Sequence, residues 1–415
     1  MKRVVITGME CVSPFGTGTD TAWEAVINGQ SGIRQLTGVD IDKQLVKIGG
    51  EVPEFNVEDY VDAKEARRLD KFILYAIMAA DEAAKSGNFD IEKEDPYRVG
   101  VIIGSAQGGL ATMAQSHEVM LSRGYYKCSP FTVPMMIPNM AAGKVSIRLG
   151  AKGVNKAIAT ACATGAHSIG DAYRSIQCGD ADIIFAGGTD SKICNFGVGA
   201  FTSAKTLSKR NDEPQKASRP YDKDRDGFVM SEGAAVVMLE ELEHAKARGA
   251  KILAEIVGYG QSADSYDMVA PDPDGKGAEY AIRAAMKGAG ITEKDVDYIN
   301  THGTSTHVGD IAESKTIERI FGNKDENKKL LVSSTKSMTG HMLGAAGAIE
   351  AIFAIETTMN DVVPPTINIE NQDEEVGDLD YVPNKARAHT VEYALSTSFG
   401  FGGCNAVLIF KKYNG

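Results

Sequence analysis

The sequence predicts an α/β protein built from two similar halves, and three observations predict it. Short β-rich runs alternate with longer Ala-rich stretches, the pattern of strands and helices that share a sheet. The order strand, turn, small-residue helix occurs at 156–176 and again at 330–356. A short strand that ends in Gly opens each half, at 4–8 and at 254–258.

In chain order, residues 2–7 read as a strand because Val4, Val5, Ile6 and Thr7 are all β-branched and Gly8 follows them. Residues 67–85 read as a helix, from their run of Ala, Leu, Met and Lys. Residues 99–103, 157–161 and 182–186 read as strands, each running into small or Gly residues. The stretches 165–177 and 278–288 read as helices. Residues 210–225 are polar and punctuated by Pro214 and Pro220, which makes them an excursion loop. A strand is expected over 296–299 and a helix over 342–358. The strands at 182–188 and 395–403 both run into Gly-rich turns. The two repeats join near residue 250, dividing the chain into halves 1–250 and 251–415. Such pseudo-symmetry places a site where the strand-end turns of both halves meet.

Composition narrows the function classes. The 415 residues are 43% hydrophobic and 24% charged, which is globular and large enough for a core without disulfides. The 44 glycines exceed the usual share and show no collagen period, so they mark tight turns and close backbone contacts. A net charge of −12 argues against general nucleic-acid binding, while a local basic patch remains compatible with it. No apolar run approaches the ~20 residues of a membrane span, and Met1–Gly8 is too short in apolar residues for a signal peptide. A soluble, cytoplasmic protein is expected. The cysteines, at 11, 128, 162, 178, 194 and 404, contain no Cys-x-x-Cys pair, so zinc and redox motifs are absent.

Four turns have residue types suited to chemistry. Thr160-Ala161-Cys162-Ala163-Thr164-Gly165 places a cysteine between a strand and a helix, where amides and the helix dipole favour a thiolate and an oxyanion. An isolated cysteine is more often a packed core thiol; the strand-end position makes the nucleophile reading as good. Asn300-Thr301-His302-Gly303-Thr304-Ser305-Thr306 suits an exposed functional imidazole. His341, in Thr335-Lys336-Ser337-Met338-Thr339-Gly340-His341, stands where a helix dipole favours neutral imidazole. Glu350 is nine residues further, about two and a half turns on, so a Lys336–Glu350 contact needs help from the loop and a surface pair is the plainer expectation. Phe399 precedes Gly400-Phe401-Gly402-Gly403, where glycines admit close backbone approach and a Phe can act as a movable cover. Walker and Rossmann patterns are missing, so no nucleotide is implied.

Together, Ala161–Gly165, Thr301–Asp310, Thr335–His341 and Gly400–Gly403 resemble the motifs of the β-ketoacyl-acyl-carrier-protein synthases, most closely the elongating type II enzymes. The likeness spans the chain, including Ser218-Arg219-Pro220-Tyr221-Asp222-Lys223-Asp224-Arg225-Asp226-Gly227-Phe228. It implies a thiolase fold: two βαβαβαββ halves in a five-layer αβαβα sandwich, paired as a homodimer. It implies that Cys162 carries the acyl group, that the Cys162 and Phe399 amides hold the oxyanion, and that His302 and His341 promote malonyl decarboxylation. Lys336 matches an essential lysine and Glu350 its acidic partner; Thr304 and Thr306 match pantetheine contacts; Phe399 matches a gate. No redox or nucleotide cofactor is implied, no metal, no membrane and no nucleic acid, and a monovalent cation stays open. The partner implied is acyl carrier protein. Lys64, Arg67, Arg68 and Lys71, with Lys127, Lys205, Lys209 and Arg210, fall in segments that match its docking face.

Three positions depart from the elongating pattern. In the acyl pocket, beside Phe201 and Phe399, Gln107 replaces a usual apolar residue. Thr132 replaces a Phe that reaches the partner's pocket, and His307 replaces a Pro. An unpaired amide beside a saturated chain would cost on the order of 1–3 kcal/mol. Either the pocket prefers other acyl chains, as in a polyketide or polyene ketosynthase, or Gln107 and Thr132 bond each other or turn away.

Overall fold

A computed structural model of the chain describes residues 1–322 and 330–415. The first half contributes β1 (Val4–Ser13), β2 (Val99–Gly104), β3 (Asn155–Lys156), β4 (Ile183–Asp190) and β5 (Gly233–Glu241). The second contributes β6 (Ala254–Ala263), β7 (Tyr298–Asn300), β8 (Leu331–Ser333), β9 (Tyr393–Gly400) and β10 (Cys404–Lys412). Their order is β8-β7-β9-β10-β6-β1-β5-β4-β2-β3, with Gly16–Thr17 paired beside β1. Read outward from the centre, each half has the same order and the same directions. Its first strand lies antiparallel to its last, and the outer three run parallel. The halves join where Val4, Val5 and Ile6 pair antiparallel with Ile256, Glu255 and Ala254.

Seven helices complete the layers: α1 (Lys71–Ser86), α2 (Leu110–Arg123), α3 (Met140–Leu149), α4 (Thr164–Cys178), α5 (Lys276–Ala289), α6 (His307–Phe321) and α7 (Ala346–Asn360). Burial on α5 falls at Ala278, Ala281, Ile282, Ala285 and Met286, the one-sided stripe of a surface helix. By contrast α7 is buried at every position from Ala346 to Thr358, because it is covered on both sides. α4 and α7 form the middle layer, where Ile169, Ile176, Ile349, Ile352 and Phe353 share one core with both halves. α1 and α3 cover the first half outside, and α5 and α6 the second. This is the five-layer sandwich that the resemblance implied.

Several expectations need correction. Residues 157–161 form no strand: only Asn155–Lys156 pair with β2, and Ala161–Ala163 make a single 3₁₀ turn. The helix expected at 67–85 starts at Lys71, where Asp70 caps it by accepting the Phe72 N–H. Arg67 and Arg68 therefore lie in the preceding turn, after Ala63–Ala66. The helix expected at 342–358 begins as a 3₁₀ turn, Leu343–Ala345, ahead of α7.

The largest surprise is the excursion loop. Polar sequence reads as solvated, yet Arg219, Tyr221, Asp222 and Arg225 are buried, since their charges and N–H groups pair with one another and with the His302 loop. Arg225 reaches Asp373 at 2.7 Å, Asp310 at 3.4 Å and the His307 carbonyl at 3.1 Å. Asp310 in turn accepts the Tyr221 N–H at 3.1 Å and the Ser305 N–H at 3.2 Å. This loop holds residues 303–307 in place.

Arg225→Met, which leaves two buried carboxylates unpaired, is expected to lower the unfolding free energy by about 3–5 kcal/mol. Lys223→Met, at an exposed neighbour, should change it by no more than about 0.5 kcal/mol. Urea denaturation of both variants measures the difference.

Candidate active site

The four turns singled out in the sequence converge. Cys162 lies in the turn before α4, His302 follows β7, Lys336 and His341 follow β8, and Phe399 ends β9. Cys162, His302, His341 and Phe399 open into one cavity of about 600 Å³, together with Gln107, Phe201, Lys205, Thr304 and Thr306. The cysteine turn carries local strain: Ala161 has φ 50°, and Leu343, which opens the symmetry-related turn before α7, has φ 52°. The tip of β9 lies against the cysteine backbone. A Cβ on Gly400 would sit 2.5 Å from the Thr160 carbonyl oxygen and 3.2 Å from the Cys162 nitrogen, so only glycine allows this approach.

The two imidazoles face each other at 5.4 Å between ring centroids, and the Phe399 ring is 5.7 Å from His302. His341 accepts the Leu343 N–H on Nδ1 at 3.3 Å, which leaves its Nε2 as the protonated donor. The backbone N–H of His302 donates to Glu313 at 2.9 Å, and that of Gly303 to the other oxygen of the same carboxylate at 2.7 Å. His302 is therefore more enclosed than the exposed residue expected, and its Nδ1 is buried without a protein partner.

Beneath them, Lys336 and Glu350 form a buried ion pair, with side chains 1% and 2% exposed. A surface pair was the plainer expectation, because it counted helical spacing from His341 to Glu350. Lys336 is on its own short helix, Lys336–Thr339, separated from α7 by a turn, so the spacing along one helix does not apply. Burial pushes the Glu350 carboxyl up, against the pull of Lys336. Burial and the Lys336 charge hold both imidazoles well below their usual value, so both are neutral at pH 7. Neutrality at His341 was expected from a helix dipole; desolvation and a nearby ammonium produce it instead.

The thiol differs from expectation too. Burial pushes Cys162 up to about 12, more than Lys336 draws it down, so the resting group is a thiol and not the thiolate expected at a helix start.

Over residues 1–245 the sequence matches the model of the beta-ketoacyl synthase N-terminal domain, and over 253–370 that of the C-terminal domain. It is 51% identical over 412 residues to a 3-oxoacyl-[acyl-carrier-protein] synthase 2 of Staphylococcus aureus, covering 99% of each chain. The chain belongs to the β-ketoacyl synthase family. Two solved structures are similar along 100% of both chains. The ishigamide ketosynthase/chain length factor has TM-score 0.92 at 31% identity. A ketosynthase bound to the hexaketide, in complex with its type II polyketide acyl-carrier protein, has TM-score 0.89 at 33% identity.

The remaining expected residues of this β-ketoacyl synthase are more scattered. Thr304 and Thr306 bond each other at 2.9 Å on the cavity wall. Phe201 packs edge-on against Phe228 at 5.8 Å. Gln107 lines the cavity, but Thr132 does not, and the two do not bond: Thr132 Oγ1 pairs with Ser116 Oγ at 3.1 Å. Glu350 and Lys336 support the cavity from below without lining it. His307 opens α6 on the exposed rim. Lys64, Arg67, Arg68 and Lys127 are exposed, and the Arg68 guanidinium lies 4.5 Å from the Phe131 ring centroid. Lys64 and Arg68 border a second recess with Phe131 and Lys144. Lys205 stands on the rim of the main cavity. Lys71, Lys209 and Arg210 complete the basic set outside it.

Glu313, Asp190 and Lys192 escaped the reading of the sequence. Asp190 and Lys192 follow Gly187-Gly188 at the end of β4, so the strand-end criterion that found Cys162 could have found them.

Imidazole titration by NMR tests the electrostatics directly. His302 and His341 should both titrate well below the ~6.5 of free imidazole, because burial and the Lys336 charge disfavour the imidazolium. In Lys336→Met, removal of the ammonium should move both upward while burial still holds them below the free value; unmoved values would remove Lys336 as a contributor.

Proposed function

We propose that this protein is a 3-oxoacyl-[acyl-carrier-protein] synthase, condensing an acyl group held on Cys162 with malonyl-acyl-carrier-protein in fatty-acid chain elongation. The observation that carries the reading is the one cavity in which a cysteine thiol meets two neutral imidazoles above a buried lysine–glutamate pair. The 51% identity to a 3-oxoacyl-[acyl-carrier-protein] synthase 2 over nearly the whole of both chains supports it.

In the first half-reaction the Cys162 sulfur attacks the acyl thioester, and the thiol proton passes to the departing pantetheine sulfur. The Cys162 and Phe399 N–H groups hold the oxyanion; the contact of β9 with the cysteine backbone supports that pairing. Malonyl-carrier then binds, its pantetheine arm along Thr304 and Thr306. Loss of CO₂ leaves an enolate, and neutral imidazoles stabilise its oxygen by donating N–H groups, His341 through Nε2 and His302 alongside. The carbanion attacks the Cys162 thioester, the new C–C bond forms as the C–S bond breaks, and the released sulfur takes up a proton. Phe399 gates the two steps, Lys336 keeps the imidazoles neutral, and Glu350 fixes Lys336.

A monovalent cation fits beside this machinery. Asn300 Oδ1, Ser396 Oγ and Glu350 Oε2 are buried without protein hydrogen bonds, and Asn300 and Ser396 are register partners on β7 and β9. Bound there, the ion would offset charge at Glu350 and leave the other carboxylate oxygen to Lys336.

The enzyme works in the cytoplasm as a homodimer, and acyl carrier protein docks on Lys64, Arg67, Arg68, Lys127 and Lys205. Exposed apolar residues on and after α2, namely Met113, Leu121, Tyr125, Tyr126 and Val133, support a protein interface on that side. Thr132 lies between Tyr126 and Val133 in the chain, where the resemblance places a Phe that reaches the partner's pocket, but its own side chain is buried and bonded to Ser116. Gln107 on the cavity wall favours a second reading, a type II ketosynthase of a polyketide or polyene pathway.

Two outcomes are expected. Cys162→Ala should neither take up an acyl group nor condense, read by intact-protein mass spectrometry and product formation; retained condensation would exclude the mechanism. Arg67→Glu with Arg68→Glu should raise the KM for carrier substrates about tenfold at low salt, with the difference shrinking as salt screens it. An unchanged KM would place docking elsewhere.

A further inference from the structure

One member of a buried charged pair lines the cavity, and the condensation chemistry above leaves that pair unused. Lys192 lines it together with Cys162, Gln107, Phe201 and Leu343. The Lys192 side chain is 1% exposed and that of its partner Asp190 is 0% exposed. Asp190 is fully engaged. It also accepts the Ser105 hydroxyl at 2.7 Å, the Gly344 N–H at 2.6 Å and the Ala106 N–H at 3.3 Å. Ser105 in turn accepts the Gly108 N–H at 2.9 Å, so the same carboxylate fixes the turn that presents Gln107.

Lys192 is the opposite case. An ammonium has three N–H donors, and among the described residues Asp190 is its one protein partner. A buried donor without an acceptor is costly, and one facing a cavity draws its acceptor from whatever fills the cavity. Water can serve in the empty site. A saturated acyl chain, which displaces that water, cannot. Gln107, which is exposed, adds an amide donor to the lining of the same cavity.

We propose that Lys192 determines acyl specificity, and that the site is built for acyl groups with an oxygen acceptor, a keto or carboxylate oxygen beyond the thioester, in preference to fully saturated chains of equal length. This rests on the synthase reading and specifies its substrate class. The Asp190 carboxylate orients the ammonium, Lys192 binds the acyl oxygen, and Gln107 offers a second donor.

The test compares carrier-bound acyl groups of six carbons, hexanoyl, 5-oxohexanoyl and adipoyl. Cys162 uptake is read by mass spectrometry and condensation with malonyl-carrier as kcat/KM. The protein should prefer at least one oxygenated chain to hexanoyl by about tenfold or more, the equivalent of one good hydrogen bond. Asp190→Asn combined with Lys192→Met removes both charges without leaving a buried carboxylate unpaired, and should erase that ratio. Lys192→Arg, which keeps donors, should retain it. Equal uptake of the three chains, a preference for hexanoyl, or a ratio unchanged in the double variant would overturn the proposal alone. No uptake of any chain, with no CO₂ release from malonyl-carrier, would overturn the synthase reading and this proposal with it.

Discussion

Two helices from the two halves of the chain share the middle layer, and their close approach at one end is the constraint on which the site depends. α4 and α7 begin side by side: a Cβ on Gly165 would lie 2.7 Å from the Ala348 nitrogen, and one on Gly347 would lie 2.9 Å from the Ala166 nitrogen. Backbones this close leave no side chain between them, so the turns before the two helices are brought together. One turn holds Cys162, and the other follows directly on His341. The symmetry of the sheet thus becomes chemistry, because equivalent strand ends meet and each brings a different functional group.

What surrounds these turns is almost wholly buried, and burial sets their electrical state. Desolvation raises the thiol and lowers the imidazoles, which makes Cys162, His302 and His341 neutral at rest. Three sets of buried charges around them are paired: Lys336 with Glu350, Lys192 with Asp190, Arg225 with Asp310 and Asp373. Each pair holds a loop that the site uses. Lys336 acts on the imidazoles, Asp190 fixes the Gln107 turn, and Arg225 holds the loop after His302. Buried pairs of this kind contribute little net stability, since desolvation offsets their attraction, but each is costly to break. They therefore fix geometry more than they stabilise the fold.

The cavity itself is mixed in character. Phe399 and Phe228 pack against the imidazoles, while Lys192 and Gln107 bring polar groups into a lining that also holds Phe201 and Leu343.

The sequence by itself determined the α/β class, the doubled order of elements and the four turns that hold Cys162, His302, Lys336 with His341, and Phe399, because periodicity, turn residues and strand ends are local properties of the chain. It also placed α4, α5 and β2 to within about two residues, the margin within which helix ends vary in any case. Where it failed, the cause was non-local. Residues 157–161 have the composition of a strand but find no further neighbour to pair with at the sheet edge. Residues 210–225 look solvated because sequence shows their charges and not the partners, 85 to 148 positions away in Arg225, that allow burial. Lys336 and Glu350 looked misaligned because a turn separates their helices. Only the tertiary structure decided the protonation states, since desolvation depends on what packs around a group, and only it placed Lys192 on the cavity of Cys162, since a lysine in sequence carries no mark of being buried.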